Sequence, residues 1–246
     1  MGARVAIRDL TVAYDGHPAI HHIAGCAMPG SLTAIVGPNG AGKSTLVKAI
    51  AGMLRPAGGT LERSPAGGIA YLPQQAEIER SFPITVRDVV LLGRWQSLGW
   101  HRAAGAADLA AAEAALDAVG LGHFEGRPVG TLSVGQFQRM LFARLMLQDA
   151  PLILLDEPFA AVDTRTVRDL MKVVGSWHEE GRTVLAVLHD LDLVAASFPE
   201  TLLLARRLVG WGPTSEVLTP ANLAAAREMA EAWDEHAAAC AAEALP

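Results

Sequence analysis

Residues 32–48 read LTAIVGPNGAGKSTLVK, and the fold turns on this stretch. An apolar run from Leu32 to Val36, broken only by Thr33, stops at a loop holding Gly37, Gly40 and Gly42. Lys43, Ser44 and Thr45 follow. The apolar positions Leu46, Val47, Ile50, Ala51 and Leu54 then recur at intervals of three and four, as one face of a helix does. Gly37, four free positions (Pro38, Asn39, Gly40, Ala41), then Gly42, Lys43 and Ser44 make the spacing of a phosphate-binding loop, the P-loop. Small residues let successive backbone N–H groups turn inward around phosphate oxygens, and the helix that follows presents its positive end to the same anion. Lys43 adds a point charge on the β- and γ-phosphates, and the Ser44 hydroxyl is the expected Mg²⁺ ligand. A nucleoside triphosphate is the ligand this loop predicts.

The bulk properties set limits on the rest. With 246 residues the chain can bury a full core. Its hydrophobic content is 51% and its mean hydropathy +0.26, yet no apolar run approaches the roughly 20 residues that span a bilayer. The richest segments, 151–155, 183–188 and 201–205, have the length of buried strands. Much of the remainder is alanine, concentrated in 103–118 and 221–244. The start, MGARVAIRDL, lacks the long apolar segment of a secretory leader, so a cytosolic protein is expected. Two cysteines, Cys26 and Cys240, provide neither a disulfide framework nor zinc-finger spacing. A net charge of −6 argues against a general nucleic-acid surface.

Residues 4–14 alternate well enough for a strand, and 15–30 read as a loop, a short strand and a turn. Arg55-Pro56 is the expected stop of the P-loop helix, and 67–72 is a short strand ended by Pro73. Helical patterns dominate from about 74 to 150: 86–92, 106–119 with Gly120 where a C-cap glycine belongs, and 136–147. After 150, strand and helix alternate, with strands at 152–155, 183–188 and 201–205, which implies a parallel sheet covered on both faces. Thr219-Pro220 opens a tail helix.

Three segments carry chemistry beside the P-loop. LILLDEP (152–158) is a buried strand ending in Asp156 and Glu157, and ligands of open parallel sheets sit beyond such ends. Asp156 is expected to hold Mg²⁺ through its water shell, and Glu157 to orient and polarise the water that attacks the γ-phosphate. TVLAVLHD places His189 at the same edge, where an imidazole can hydrogen-bond the γ-phosphate. In LSVGQ (132–136), Ser133 and Gln136 form a capping-box pattern, so Ser133 starts a helix with Gly135 in its first turn. That is a second anion site, and one nucleotide does not need two from one chain. Its simplest use is in trans, on a nucleotide held by another subunit.

Taken in order, GPNGAGKST, LSVGQFQR, LILLDEP and His189 resemble the ATP-binding subunits of ABC transporters over about residues 4–220. The resemblance implies an α/β P-loop NTPase fold: a RecA-like parallel-sheet core with antiparallel N-terminal strands, plus an inserted α-helical subdomain. Its domain would run over 1–220, with a core of about 1–75 and 150–220, a helical subdomain of about 76–149, and a helical tail at 221–246. It also implies that Tyr14 stacks on adenine and that Gln74, in YLPQQ, contacts Mg²⁺ and the attacking water. It places Asp163, in FAAVD, on a loop that crosses a dimer interface. Val134 departs from the glycine usual in the signature segment, which changes the contact offered to an opposing nucleotide but leaves Ser133 and Gly135. Ala161 stands where related chains often carry another small residue.

The implied protein is an ATPase with ATP and Mg²⁺ as cofactors, working as a dimer on the cytoplasmic face of the inner membrane through permease subunits. SFPITVRDVVLLGRW (81–95) looks most like the ATPases of zinc and manganese importers, which would add an extracytoplasmic metal-binding protein as an indirect partner. An iron-chelate, siderophore or cobalamin importer is the alternative substrate reading. A soluble regulatory ATPase is a rival of another class, against which stand the single P-loop and the acidic balance. A small-molecule P-loop kinase leaves LSVGQ and His189 unexplained. His236 and Cys240, four apart on the tail, are two ligands and too few for a metal site.

Overall fold

Five short runs of apolar residues pair side by side, and their two faces are buried by different parts of the chain. In the computed structural model, which describes residues 2–64, 67–74, 82–95 and 103–231, these runs form the parallel part of a six-stranded sheet. Its order is β5 (Ile69–Leu72), β6 (Leu152–Asp156), β7 (Thr183–Val187), β3 (Leu32–Val36), β8 (Glu200–Ala205) and β9 (Arg207–Pro213), the last antiparallel. Alternation of side chains divides each strand between two cores. Ala34, Val36, Ile153, Leu155, Val184, Ala186 and Leu203 face one, and Ile35, Leu154, Leu185, Val187, Leu202 and Leu204 face the other.

The second core is closed by helix α1 (Lys43–Ala51) and an antiparallel sheet of order β2-β1-β4. Here β1 is Arg4–Tyr14, β2 is His17–Ala27 and β4 is Gly58–Ser64. Sequence reading shortened β2, which runs eleven residues and pairs with β1 from Tyr14↔His17 to Val5↔Ala27, with register shifts between Ile7 and Ala13. It passed over β4, whose seven residues GGTLERS carry no apolar alternation and are strand only because they pair with β1. It also passed over β9, a glycine-broken strand returning along β8. Helix α1 ends at Ala51, ahead of the stop expected at Arg55-Pro56, because Gly52 is already left-handed and bonds back to the last turn.

The first core is covered by helices. Between β5 and β6 stand α2 (Val86–Leu91) with a 3₁₀ turn (Leu92–Arg94), α3 (Ala106–Ala118) and α4 (Val134–Gln148). Then follow α5 (Thr164–Glu179), α6 (Leu191–Ser197), α7 (Thr214–Val217) and α8 (Pro220–Glu231). Thr85 caps α2 through a capping box with Asp88, and Thr219 accepts from the Asn222 N–H at the start of α8. No helix among the described residues is long and apolar enough to cross a membrane.

One aromatic stack ties α4 to α5 and to the segment after β6. The fully buried Phe142 ring lies 5.7 Å from Trp177 and 6.3 Å from Phe159, near-parallel to both. Truncation there leaves a cavity under two helices. Phe142→Ala is expected to cost about 3–5 kcal/mol in urea unfolding. A loss under about 1 kcal/mol would show that the stack carries no such weight.

Candidate functional site

At two of the three P-loop glycines, Gly37 and Gly42, the neighbours leave no room for a side chain. A Cβ on Gly37 would come within 2.0 Å of the Leu204 carbonyl oxygen. One on Gly42, whose φ is 88°, would meet the Ile20 side chain at 2.2 Å and the Ala19 carbonyl oxygen at 2.8 Å. Strands β8 and β2 therefore press the loop into shape from two sides. No side chain caps α1 and no acidic residue stands in its first turn, so its positive end faces the cleft uncompensated. That cleft, of about 380 Å³, is lined by residues 39–45 with Gln74, Glu157, Ala19 and Arg206. Gln74, given to this site by the resemblance, lines it from just past the end of β5. Ala19 and Arg206 were not foreseen, since neither lies in a recognisable motif and both arrive through β2 and β8.

The carboxylates stand where β6 ends. Asp156 is buried, and the Ser44 hydroxyl donates to its Oδ1 at 2.9 Å. Its Oδ2 is also buried, and among the described residues neither it nor the Tyr71 hydroxyl facing it from β5 makes a hydrogen bond of ordinary geometry. Glu157 adopts a left-handed φ of 52°, uncommon for a residue with a side chain and a form of strain that collects at working sites. This turns its carboxylate toward the cleft and toward His189, whose Nε2 lies 2.7 Å from Oε1. His189 thus holds Glu157 in this conformation, where sequence reasoning expected a phosphate. The Lys43 ammonium is likewise engaged, donating to the carbonyl oxygens of Gly37 and Pro38 at 2.9 Å each.

Other expected residues lie elsewhere. Tyr14 is half exposed at the end of β1 and does not line the cleft. The capping box is formed as predicted: the Gln136 N–H donates to Ser133 Oγ at 3.2 Å, and the Ser133 N–H donates to Gln136 Oε1 at 3.0 Å. Neither residue nor Gly135 reaches the P-loop cleft, and the helix start at Ser133 and Val134 is exposed. Asp163 caps α5, accepting from the Thr166 N–H at 3.0 Å and the Thr166 hydroxyl at 2.8 Å. Those bonds hold its carboxyl below the usual range. Helix α4 is tied to the segment after β6, with Gln138 Nε2 donating to the Pro158 carbonyl at 2.6 Å, and to α5, with Arg139 paired with Asp169 at 2.8 Å. His236 and Cys240 lie outside the described residues.

A family model described as ABC transporter matches residues 20–160. The manganese transport system ATP-binding protein MntB of Halalkalibacterium halodurans is 38% identical over 230 residues, covering 91% of this chain and 92% of that one. The zinc transport system ATP-binding protein TroB of Treponema pallidum is 40% identical over 221 residues, covering 87% and 83%. Among solved structures, an inward-facing ABC transporter described as of metal-chelate type superposes with a TM-score of 0.82 at 28% identity, over 92% of this chain and 90% of that one. A dimeric bacterial ABC transporter cassette, at a TM-score of 0.76 and 23% identity over 85% and 98%, shares the fold.

Burial dominates the electrostatics of the cleft. It raises the Asp156 carboxyl above its ordinary range, against the pull of the Ser44 hydrogen bond, and lowers the Lys43 ammonium, against Glu157 and Asp156. The Tyr71 phenol is pushed up to about 12 by burial and by the Asp156 charge. A carboxyl raised in the folded state binds its proton more readily there than in the unfolded chain. Its contribution to stability is present at low pH and lost as pH rises through the folded value. Asp156→Asn is therefore expected to raise the melting temperature of nucleotide-free protein at pH 8, with the gain shrinking toward pH 4. A variant that melts below wild type at pH 8 would refute this account.

Proposed function

This chain belongs to the ABC transporter family as an ATP-binding subunit, an ATPase coupled to transport, and on that premise we propose that it powers an importer of a divalent metal ion, manganese or zinc. The observation that carries the catalytic part is the convergence of the P-loop, Asp156, Glu157, His189 and Gln74 at one edge of the parallel sheet, while the capped helix at Ser133 stays outside. Half of a composite site is present in one chain. A second copy would bring Ser133, Gly135 and Gln136 to the γ-phosphate, with Asp163 at the interface between the two.

Within that reading the backbone N–H groups of Gly40, Ala41 and Gly42 and the helix start at Lys43, Ser44 and Thr45 hold the phosphates, with Tyr14 on the adenine. Mg²⁺ fits the donors present: the Ser44 hydroxyl and a buried carboxylate with an unpartnered oxygen are hard oxygen ligands, and Gln74 stands across the cleft. Bound there, the ion would neutralise charge developing on the phosphates. Glu157 accepts a proton from the attacking water, and His189, released from Glu157, donates to the γ-phosphate. The two functions compete for one pair of side chains, so loading the site must open the 2.7 Å contact between them. The core of about 1–75 and 150–220 would carry this machinery, and the helical part of about 76–149 would meet membrane permeases on the cytoplasmic face. Exposed Phe82, Leu92 and Trp95 support that docking role.

The substrate rests on the manganese and zinc relatives, near 40% identical over most of the chain. The metal-chelate type structure, at 28% identity, keeps an iron-chelate or cobalamin importer as the second reading. Glu157→Gln is expected to abolish turnover while retaining ATP and trapping a closed dimer; hydrolysis at the wild-type rate would remove Glu157 from its role. In the assembled complex with its extracytoplasmic binding protein, Mn²⁺ or Zn²⁺ loading should stimulate ATPase activity several-fold. Stimulation by an iron chelate or cobalamin instead would decide for the second reading.

A further inference from the structure

Arg206 occupies the turn between β8 and β9, and its backbone is clamped on both sides. Its N–H donates to the carbonyl oxygen of Ala41 in the P-loop at 2.9 Å, and its carbonyl accepts from the His21 N–H on β2, also at 2.9 Å. Between these bonds its φ is 61°, the left-handed region. A residue with a Cβ pays for that conformation where glycine does not, and tight hairpin turns favour glycine or asparagine at such positions. The long side chain is therefore held at a position that the backbone alone would give to a smaller residue. The residue is half-buried and is among those lining the phosphate cleft, and its charge is also felt by His21 on β2.

The sheet order says which wall it forms. Strand β3 delivers the P-loop, and β7 and β6 lie to one side of it with His189, Asp156 and Glu157 at their ends. Strand β8 lies to the other side, with Arg206 just past its end. The cleft thus has Glu157 on one flank and Arg206 on the opposite flank, with the loop and Lys43 between them. Guanidinium and phosphate oxygens form strong, charge-assisted hydrogen bonds.

We propose that Arg206 is a nucleotide-binding residue that grips the non-transferred phosphates of ATP and ADP from the wall opposite Glu157, and that its side chain is kept at a strained turn for that purpose. This rests on the P-loop being a nucleotide site. Because the contact is on the flank away from the hydrolytic groups, it serves ATP and ADP alike. Arg206→Gly relieves the turn and removes the guanidinium, so fold and ligand respond in opposite directions.

The test measures MgATP and ADP binding by calorimetry, and melting without nucleotide, for wild type, Arg206→Gly and Arg206→Lys. The glycine variant is expected to melt at or above wild type yet bind both nucleotides about tenfold more weakly, with their affinity ratio unchanged and part of the loss restored by lysine. Wild-type affinity in the glycine variant overturns the proposal. So does a lost affinity accompanied by a fall in melting temperature, which would make Arg206 a structural brace. Wild-type protein that binds neither nucleotide would instead bring down the P-loop reading itself.

Discussion

The site depends on strand β3 being buried on both faces between β7 and β8. All five of its residues are buried, with Ala34 and Val36 packed under the helices and Ile35 packed against α1 and the antiparallel sheet. A strand held this way has one exit, and the chain that leaves it must turn sharply beneath neighbours that are themselves fixed. Leu204 on β8 and Ile20 on β2 leave space only for glycine at two points of that turn. The anion-binding geometry of the loop is thus imposed by packing around it. Parallel pairing, with Leu155↔Ala186, Asp156↔Val187 and Ile35↔Val187, then brings Asp156 level with Val187, two residues before His189.

The reactive groups in this conformation satisfy one another. Lys43 bonds to the carbonyls of its own loop, Ser44 to Asp156, and His189 to Glu157. Buried charges that lack partners are costly, so a cleft rich in ionisable groups rests with them paired internally. Asp156 Oδ2 and the Tyr71 hydroxyl face one another, buried, without a hydrogen bond of ordinary geometry among the described residues. The bonds from α4 to Pro158 and Asp169, with the Phe142–Trp177 stack, link the exposed start of α4 to the chain that leaves Glu157. A second subunit closing on that helix would act on the hydrolytic carboxylate through packed side chains.

Much of this was legible before any coordinates, for definable reasons. The P-loop, LILLDEP and TVLAVLHD are short, buried and bounded by turn-formers, so composition and length mark them as parallel strands. The Ser133–Gln136 cap is local, spanning three residues, and formed as read. Strands β4 and β9 left no such mark, because GGTLERS and RLVGWGP become strands through their partners. Tyr14 and Asp163 were assigned by resemblance; within one chain the first is not among the residues lining the P-loop cleft and the second caps its own helix.

By itself the sequence determined which segments bury themselves and where helices are capped, because spacing, periodicity and capping act over a few residues. It marked the P-loop spacing, the acidic strand end and the capped helix at Ser133 in the same way. Only the tertiary structure decided the meeting of Ser44 with Asp156, 112 positions away, the clasp of His189 on Glu157, and the arrival of Arg206 on the opposite wall. Those contacts depend on strand order. Which strand lies beside β3 is settled by the packing of both faces at once, and a linear pattern does not record it.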